Sequence, residues 1–119
     1  MNKGNELSKC EKEVMETIYS MGTEPTLNEI REVVNPNHGH QWKPQTVSTF
    51  LARLVKKGWL SMYRKGRYCY YKILRTRKEF ETCLFEELLA AGFGGNIEKF
   101  EKAAKEFVST GSIREDGAE

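Results

Sequence analysis

Residues 44–57 read PQTVSTFLARLVKK, and the spacing of the apolar residues in this stretch decides the fold. They recur at i, i+3, i+4, i+7 and i+8, which is the pattern of a helix that packs one side on a core. Pro44 suits the first helical position, because its missing amide hydrogen would have no partner there. Gly58 is expected to end the helix. The residues predicted to face the core are Val47, Phe50, Leu51, Leu54 and Val55.

The opposite side of this helix carries residue types that recognise DNA bases. Gln can bridge adenine, Arg can bridge guanine, and Thr offers a hydroxyl and a methyl that can meet the thymine methyl. A merely solvated helix face usually mixes Glu with Lys, and this helix contains no acidic residue, so we predict a DNA-recognition helix. The predicted DNA-binding residues here are Lys43, Gln45, Thr46, Ser48, Thr49, Arg53 and Lys57.

Two capping boxes predict the helices that precede the recognition helix. Ser8 with Glu11, and Thr26 with Glu29, match the pattern in which each side chain satisfies a backbone amide of the other residue. The second helix is expected to end at Asn35-Pro36. Three short helices, the third one basic and preceded by a turn, indicate a helix-turn-helix arrangement.

A β-hairpin is predicted directly after the recognition helix. The runs WLSMY (59–63) and YCYYKIL (68–74) are rich in β-forming residues and flank a turn in which Gly66 can supply a positive φ. A hairpin in this place is the wing of a winged-helix domain. Its predicted DNA-binding residues are Arg64, Lys65, Arg67 and Tyr68, the last through its hydroxyl to a backbone phosphate.

Two apolar helices are predicted in the C-terminal third. Thr76 with Glu79 opens one helix that is expected to end at Gly92, and Asn96 can cap the next. Their apolar stripes exceed what a small winged domain can cover, so we predict a dimerisation element. The predicted organisation is a winged-helix domain at 7–75, dimerisation helices at 76–108 and a disordered tail at 109–119. The predicted dimer contacts are Phe80, Leu84, Leu88, Phe100, Ala104 and Phe107.

The charge distribution supports a polyanionic partner. Every charged residue from 43 to 78 is Lys or Arg, and all 17 acidic residues of the chain lie outside that stretch, although the net charge is only +2. A one-sided positive field of this kind attracts nucleic-acid phosphates. Double-stranded DNA is therefore the predicted partner.

Other function classes lack their signatures in the sequence. No apolar run approaches the ~18 residues of a membrane span, and no secretory signal is present, so we expect a cytoplasmic protein. His38 and His40 form an H-x-H without a supporting Cys or carboxylate, so we predict a solvated turn and neither metal nor other cofactor. Because no catalytic motif is found either, the chain is predicted not to be an enzyme.

Three segments together resemble one known family. They are LSKCEKEVMETIY (7–19), WKPQTVSTFLARLVKKGWL (42–60) and YYKI (70–73), and the resemblance spans about residues 7–108. The sequence is similar to the BlaI/MecI/CopY family of bacterial winged-helix repressors. The resemblance implies a homodimer that binds inverted repeats of TACA/TGTA half-sites and blocks promoters of β-lactam resistance or metal-homeostasis genes. It also implies that Gln45, Thr46 and Thr49 face the bases, while Arg53 and the wing hold the backbone.

The sequence departs from this family at two places that concern release from DNA. Copper-responsive members carry paired C-x-C motifs, which are missing here. In the β-lactam repressors a sensor-linked protease cuts an Asn-Phe bond, and the corresponding position here is near Ala103-Ala104. Two alternatives to the repressor stay open: a winged-helix module that binds protein through the same apolar C-terminal helices, and a regulator that senses a small effector.

Overall fold

The computed structural model describes residues 6–111 of the chain. Within this range the elements follow in the order α1 (Lys9–Met21), α2 (Leu27–His38), α3 (Pro44–Lys56), β1 (Leu60–Lys65), β2 (Tyr68–Ile73), α4 (Arg77–Phe93) and α5 (Ile97–Thr110). The boundary between two compact units falls between Arg77 and Lys78. The predicted fold, a mostly helical winged helix with two further helices, is confirmed.

The core of the first unit lies between α1, α2 and α3. Burying one large apolar side chain contributes about 1.5–3 kcal/mol, so the shared core dominates the free energy of folding. It also fixes the rotation of α3, because that helix can bury only one stripe. The fully buried side chains are Val14, Met15, Ile18, Ile30, Val34, Val47, Leu51 and Leu54, and Trp59 joins them from the segment after α3.

Val55 was predicted to belong to the core stripe of α3, and this prediction is wrong because the side chain is 37% exposed. At 100° per residue, Val55 lies about 80° around the helix from Val47, at the margin of the buried stripe. That margin faces the hairpin, where Met62 and Tyr71 border the same shallow groove. The buried stripe of α3 is therefore narrower than its sequence suggests.

The capping boxes predicted for α1 and α2 both form. Ser8 Oγ accepts a hydrogen bond from the Glu11 amide, and the Ser8 amide donates to the Glu11 carboxylate. Thr26 and Glu29 repeat this arrangement. Each box satisfies amides that the first helical turn leaves without a helical partner, so the starts of these helices are set locally.

The end of α2 differs from the prediction that Asn35-Pro36 terminates it. The helix continues through Pro36 to His38, and Gly39 follows in the left-handed region with a φ of 69°. The amides of Gly39 and His40 both donate to the Asn35 carbonyl. Pro36 removes a single helical hydrogen bond near the end of the helix, and the glycine cap closes the final turn instead.

The predicted hairpin is present, with strands that extend closer to the tip than expected. β1 and β2 pair antiparallel along their whole length and Lys65 lies opposite Tyr68, so the turn consists of Gly66 and Arg67 alone. Gly66 has a φ of 66°, as two-residue hairpin turns require. Arg64 and Lys65, predicted in the turn, belong to β1.

Two hydrogen bonds fasten the hairpin to the segment before α2. The Tyr71 amide donates to the Pro25 carbonyl at 2.9 Å. Tyr63 Oη donates to Glu24 Oε1 at 2.6 Å. The wing therefore has a defined attachment to the helical core at its base, while its tip stays exposed.

α4 and α5 make up the second unit. α4 passes through Gly92, its predicted end, because an interior glycine costs a helix only about 1 kcal/mol. The break comes at Gly94 and Gly95, with φ values of 59° and 77°. Asn96 then caps α5 as predicted, since its Oδ1 accepts from the amides two and three residues further on at 2.9 and 3.1 Å. No helix within residues 6–111 is long and apolar enough to cross a membrane.

The residues predicted to form a dimer differ in their exposure. Phe80 is 3% exposed within a single chain, so it offers no surface to a second copy in this conformation. Leu88 and Phe107 are 50% and 55% exposed. Ala104 is exposed, and Leu84 and Phe100 are partly so.

The disordered tail predicted at 109–119 was given a start that lies inside α5. α5 continues through Thr110 and ends at Gly111, whose amide donates to the Phe107 carbonyl at 2.7 Å. Residues 112–119 of the predicted tail lie outside the described residues.

Replacing Gly66 with Ala is expected to lower the free energy of unfolding by about 1–2 kcal/mol, the cost of a left-handed backbone for a residue with a Cβ. The space around Gly66 is open, so no clash with neighbouring side chains adds to this cost. Urea unfolding measures the change. Gly66→Asn is the matched control, because asparagine tolerates the left-handed region, and it should lose clearly less stability than Gly66→Ala.

Candidate nucleic-acid interface

The outward side of α3 forms a polar and basic surface. Helical geometry places Gln45, Thr49 and Lys56 opposite the buried stripe, and all three are exposed. Lys56 was not among the predicted site residues, and its position on this side of α3 adds it to the surface. The other predicted residues of the surface are Lys43, Ser48 and Arg53, which are exposed, and Thr46, which is partly exposed.

The start of α3 leaves positive charge unopposed. Lys43 is the N-cap residue, its side chain makes no capping hydrogen bond, and the first turn contains no acidic residue. The amides of Thr46 and Val47 donate to the Lys43 carbonyl at 2.9 and 3.2 Å. A helix N-terminus of this kind carries roughly half a positive charge, so it suits an approaching phosphate.

The Thr49 hydroxyl forms a hydrogen bond within α3 itself. Its Oγ1 donates to the Gln45 carbonyl at 3.1 Å. While the hydroxyl hydrogen is used in that bond, the hydroxyl oxygen has only its lone pairs to offer and acts as an acceptor. At a base edge, an acceptor beside a methyl group fits an amino group or a thymine methyl.

The tip of the hairpin is cationic. Arg64, Lys65, Arg67 and Tyr68 are all exposed, and Arg64 Nε donates to the Gly66 carbonyl at 3.2 Å. The hairpin and α3 are neighbours, because Met62 and Tyr71 border a groove of about 280 Å³ together with residues of α3. The wing therefore extends the basic surface of α3.

Not every basic residue between 43 and 78 reaches this surface. The Arg75 guanidinium lies 4.7 Å from the centre of a Trp59 ring. The Arg77 guanidinium lies 5.6 Å from the centre of the Tyr19 ring. Lys57 is also directed inward, so counting charges along the sequence overestimates the cations available to a partner.

Lys57 was predicted to bind DNA, and the structure instead pairs it with a buried carboxylate. Its Nζ lies 2.7 Å from Glu11 Oε1 and donates to the Glu6 carbonyl, also at 2.7 Å. Burial raises the pKa of Glu11, but the Lys57 hydrogen bond, the Ser8 amide and the charges of Lys57 and Arg53 outweigh it, so the pKa lies below its ordinary value. Glu11 is therefore held ionised by its partner.

The start of α3 is positioned by Asn35, which the sequence indicated only as part of the end of α2. Asn35 Nδ2 donates to the Trp42 carbonyl, and the Trp42 amide donates to Asn35 Oδ1, both at 3.1 Å. These two bonds clasp the turn after α2 to the helix that precedes it. An asparagine near the end of a predicted helix could have suggested this contact, because its side chain has both a donor and an acceptor. Asparagine is also common in turns, so its presence alone does not predict such a contact.

The turn before α3 is packed rather than solvated as predicted. His40 Nε2 lies 2.6 Å from Glu13 Oε1, and the His40 ring stacks on Trp42 with centroids 4.0 Å apart. Trp42 contacts Phe50 of α3 at 5.0 Å between ring centroids, so it packs the turn onto the helix. Among residues 6–111, His38, His40 and their neighbours do not form a cluster suited to a metal ion.

These features define a class of protein. A third helix with its acid-free face outward, followed by a cationic hairpin, is the arrangement of a winged-helix nucleic-acid-binding domain.

Comparison with known proteins gives the family. The sequence model described as "Penicillinase repressor" matches residues 7–118, and the chain belongs to this family. A penicillinase repressor of Bacillus licheniformis is 35% identical over 71 residues, which are 60% of this chain and 53% of that protein. This chain thus matches about half the length of that relative.

Two solved structures of a related repressor are similar. One is a solution structure of the monomeric form of Bacillus licheniformis BlaI in complex with the blaP half-operator, with a TM-score of 0.53. The other is the DNA-binding domain of BlaI, with a TM-score of 0.55. Each is 30% identical to this chain, and each match covers 66% of this chain and 93% of the BlaI chain. The family consists of repressors, which confirms the prediction that the chain is not an enzyme.

Replacing Asn35 with Ala is expected to lower the free energy of unfolding by about 1–3 kcal/mol, because the Trp42 amide loses its partner and the Trp42 carbonyl keeps only the longer contact from Arg31 at 3.5 Å. Thermal unfolding of the purified protein measures this change. Asn37→Ala is the matched control on the same helix, since Asn37 is exposed, and it should leave stability nearly unchanged. Equal effects of the two substitutions would contradict the role of Asn35.

The ionised Glu11 should contribute to stability at neutral pH and lose that contribution in acid. Its folded-state pKa lies below the ordinary value of 4.5, so the contribution is fully present above about pH 4.5 and disappears as pH falls through the lower folded-state pKa. Glu11→Gln should therefore be less stable than the wild type at pH 7, with a smaller difference near pH 3. Urea unfolding across this range tests it, and a difference independent of pH would contradict the ion pair.

Proposed function

We propose that this protein is a DNA-binding transcriptional repressor that inserts α3 into the major groove. The observation that carries the proposal is the acid-free, exposed face of α3, held outward by the buried stripe of Val47, Leu51 and Leu54. Family membership supports it, as does the likeness to BlaI, described with a half-operator. Such a protein would act in the cytoplasm, where the promoter is.

In this proposal the surface divides into base-reading and phosphate-binding parts. Gln45, Thr46 and Thr49 face the base edges from the first half of α3, and Ser48 lies beside them. Thr49 presents an acceptor and a methyl group, which suits adenine or cytosine amino groups and the thymine methyl. The phosphate-binding residues are Lys43, Arg53, Lys56, Arg64, Lys65, Arg67 and Tyr68, which supply sequence-independent affinity.

We further propose that two copies bind an inverted repeat, of the TACA/TGTA type that the family resemblance implies. Leu88 and Phe107 are each at least half exposed, and Ala104 with parts of Leu84 and Phe100 adjoins them on the same two helices. Apolar surface of this kind is stabilised when a second copy covers it. Genes of β-lactam resistance or a related stress response are the proposed targets.

The proposed route of release stays open between two mechanisms. A sensor-linked protease would have to cut α5 near Ala103-Ala104 without the Asn-Phe dipeptide of the β-lactam repressors. A small effector is the alternative. Incubation of the protein with cells induced by a β-lactam, followed by mass determination of fragments, separates the two.

The proposed function is tested by fluorescence anisotropy of the purified protein on duplex from upstream of its own gene and on scrambled duplex, at several salt concentrations. Specific binding to the upstream duplex, with two protomers per site, is the expected result. Equal and salt-sensitive binding to both duplexes would contradict a sequence-specific repressor and favour a general phosphate surface.

Replacing Thr49 with Ala is expected to reduce the ratio of specific to scrambled affinity by about tenfold, since one base contact is worth about 1–3 kcal/mol. Thr49→Ser keeps the hydroxyl and Thr49→Val keeps the methyl, so the less damaging of the two identifies the group that reads the base. Equal losses on both duplexes would show that Thr49 does not read bases.

Replacing Arg67 with Ala is expected to weaken binding to both duplexes equally and to reduce the salt slope by about 0.9, the value for one phosphate contact. Lys102→Ala removes the same charge from an exposed position on α5 and serves as the control. An Arg67→Ala slope equal to that of the control would exclude the wing from the phosphate contacts.

A further inference from the structure

The Lys57 side chain is committed to contacts inside the protein. It is 26% exposed, and its ammonium lies 2.7 Å from both Glu11 Oε1 and the Glu6 carbonyl. An ammonium group has three hydrogens to donate, so two of them are already used. The adjacent Lys56, in contrast, is exposed on the outward side of α3. Two consecutive lysines of the same sequence motif thus have different environments.

Glu11 makes this contact costly to break. Its side chain is 1% exposed, and its Oε1 accepts from both the Ser8 amide, at 2.9 Å, and Lys57. A buried carboxylate that loses its cation is left with an uncompensated charge, which is strongly destabilising. The pair therefore holds Lys57 in place more firmly than an ion pair on the surface would, because exposed pairs contribute little to stability.

Because of the position of Lys57 in the chain, its ion pair with Glu11 holds the C-terminal end of α3. Lys57 is the C-cap residue of that helix, and Gly58 follows with a φ of 85°. The Trp59 amide then donates to the Leu54 carbonyl at 2.9 Å, and Trp59 is fully buried. Glu11 belongs to the first turn of α1, so the pair joins the end of α3 to the start of α1.

The two ends of α3 are thus held by separate contacts. The start is held by the clasp between Asn35 and Trp42, and the end by Glu11 and Lys57. Base contacts need a side chain placed to within about 0.5 Å, whereas phosphate attraction acts over about 10 Å. A small tilt of α3 would therefore cost base reading more than it costs phosphate binding.

We propose that Glu11 and Lys57 are positioning residues that set the C-terminal end of α3 for sequence-specific DNA binding, and that Lys57 acts through this helix instead of contacting phosphate. This inference rests on the proposed function. It assigns to a buried acidic residue of α1, remote from the recognition surface in sequence, a role in the choice of DNA sequence.

The test compares Lys57→Met with Lys56→Met by fluorescence anisotropy on specific and scrambled duplexes across salt concentrations. Methionine keeps most of the length of the lysine side chain and removes the charge in both variants. Lys57→Met is expected to leave the salt slope unchanged while the ratio of specific to scrambled affinity falls about tenfold, the equivalent of one lost base contact. Lys56→Met is expected to reduce the slope by about 0.9 and leave the ratio unchanged.

Glu11→Gln provides the second variant, because the carboxamide keeps an acceptor for the Ser8 amide while it removes the charge that Lys57 faces. It should lower the same ratio, and the double variant Glu11→Gln with Lys57→Met should lower it by less than the product of the two single effects. All variants are measured at a temperature where thermal unfolding shows them fully folded. Glu11→Gln carries the test alone if Lys57→Met does not fold.

Two outcomes overturn the positioning role alone, and a third overturns the proposed function on which it rests. A reduced salt slope in Lys57→Met would make Lys57 a phosphate contact. Unchanged ratios in both Lys57→Met and Glu11→Gln would leave the pair a stability element without influence on sequence choice. If the wild type itself fails to distinguish the two duplexes, the repressor function fails first, and the positioning role fails with it.

Discussion

The burial of one narrow stripe of α3 is the constraint on which the rest of the first unit depends. Val47, Leu51 and Leu54 are fully buried against α1 and α2, and only one rotation of the helix achieves this. The same rotation turns Gln45 and Thr49 outward. Hydrophobic packing, which has no chemical preference for DNA, thereby decides which polar side chains face a partner.

Electrostatics then act on a surface that packing has already selected. The basic stretch from 43 to 78 looks uniform in sequence, yet its cationic side chains lie in two kinds of environment. Lys57 and Arg75 are partly buried against a carboxylate and an aromatic ring of the protein itself, whereas the cations of the wing tip and the outer face of α3 are exposed. The first group stabilises the domain, and the second supplies its external field.

Sequence predicted those features that depend on neighbouring residues. The capping boxes of α1 and α2 and the glycine of the hairpin turn are local, and the structure contains them. Contacts between distant residues escaped prediction. Glu11 and Lys57 are 46 positions apart, and nothing in the motif KKG distinguishes a lysine that turns inward from one that stays in solvent.

Helix ends that were predicted from a single helix-breaking residue were also wrong. Pro36 and Gly92 each lie inside a helix, because the loss of one hydrogen bond or of about 1 kcal/mol is offset by the remaining turns. The prediction that Val55 faces the core was wrong for a related reason. Periodicity identifies the side of a helix that faces a core, but the width of the buried stripe depends on what packs beside it.

The stack of His40 on Trp42 gives the protein a built-in optical reporter. The chain contains two tryptophans: Trp59 is fully buried with the Arg75 guanidinium 4.7 Å from the centre of its ring, whereas Trp42 is partly exposed and lies against an imidazole ring 4.0 Å away. Contact with an imidazole ring quenches indole fluorescence. Movement at the start of α3 would therefore change the Trp42 emission and leave that of Trp59 as an internal reference, without any dye attached to the protein.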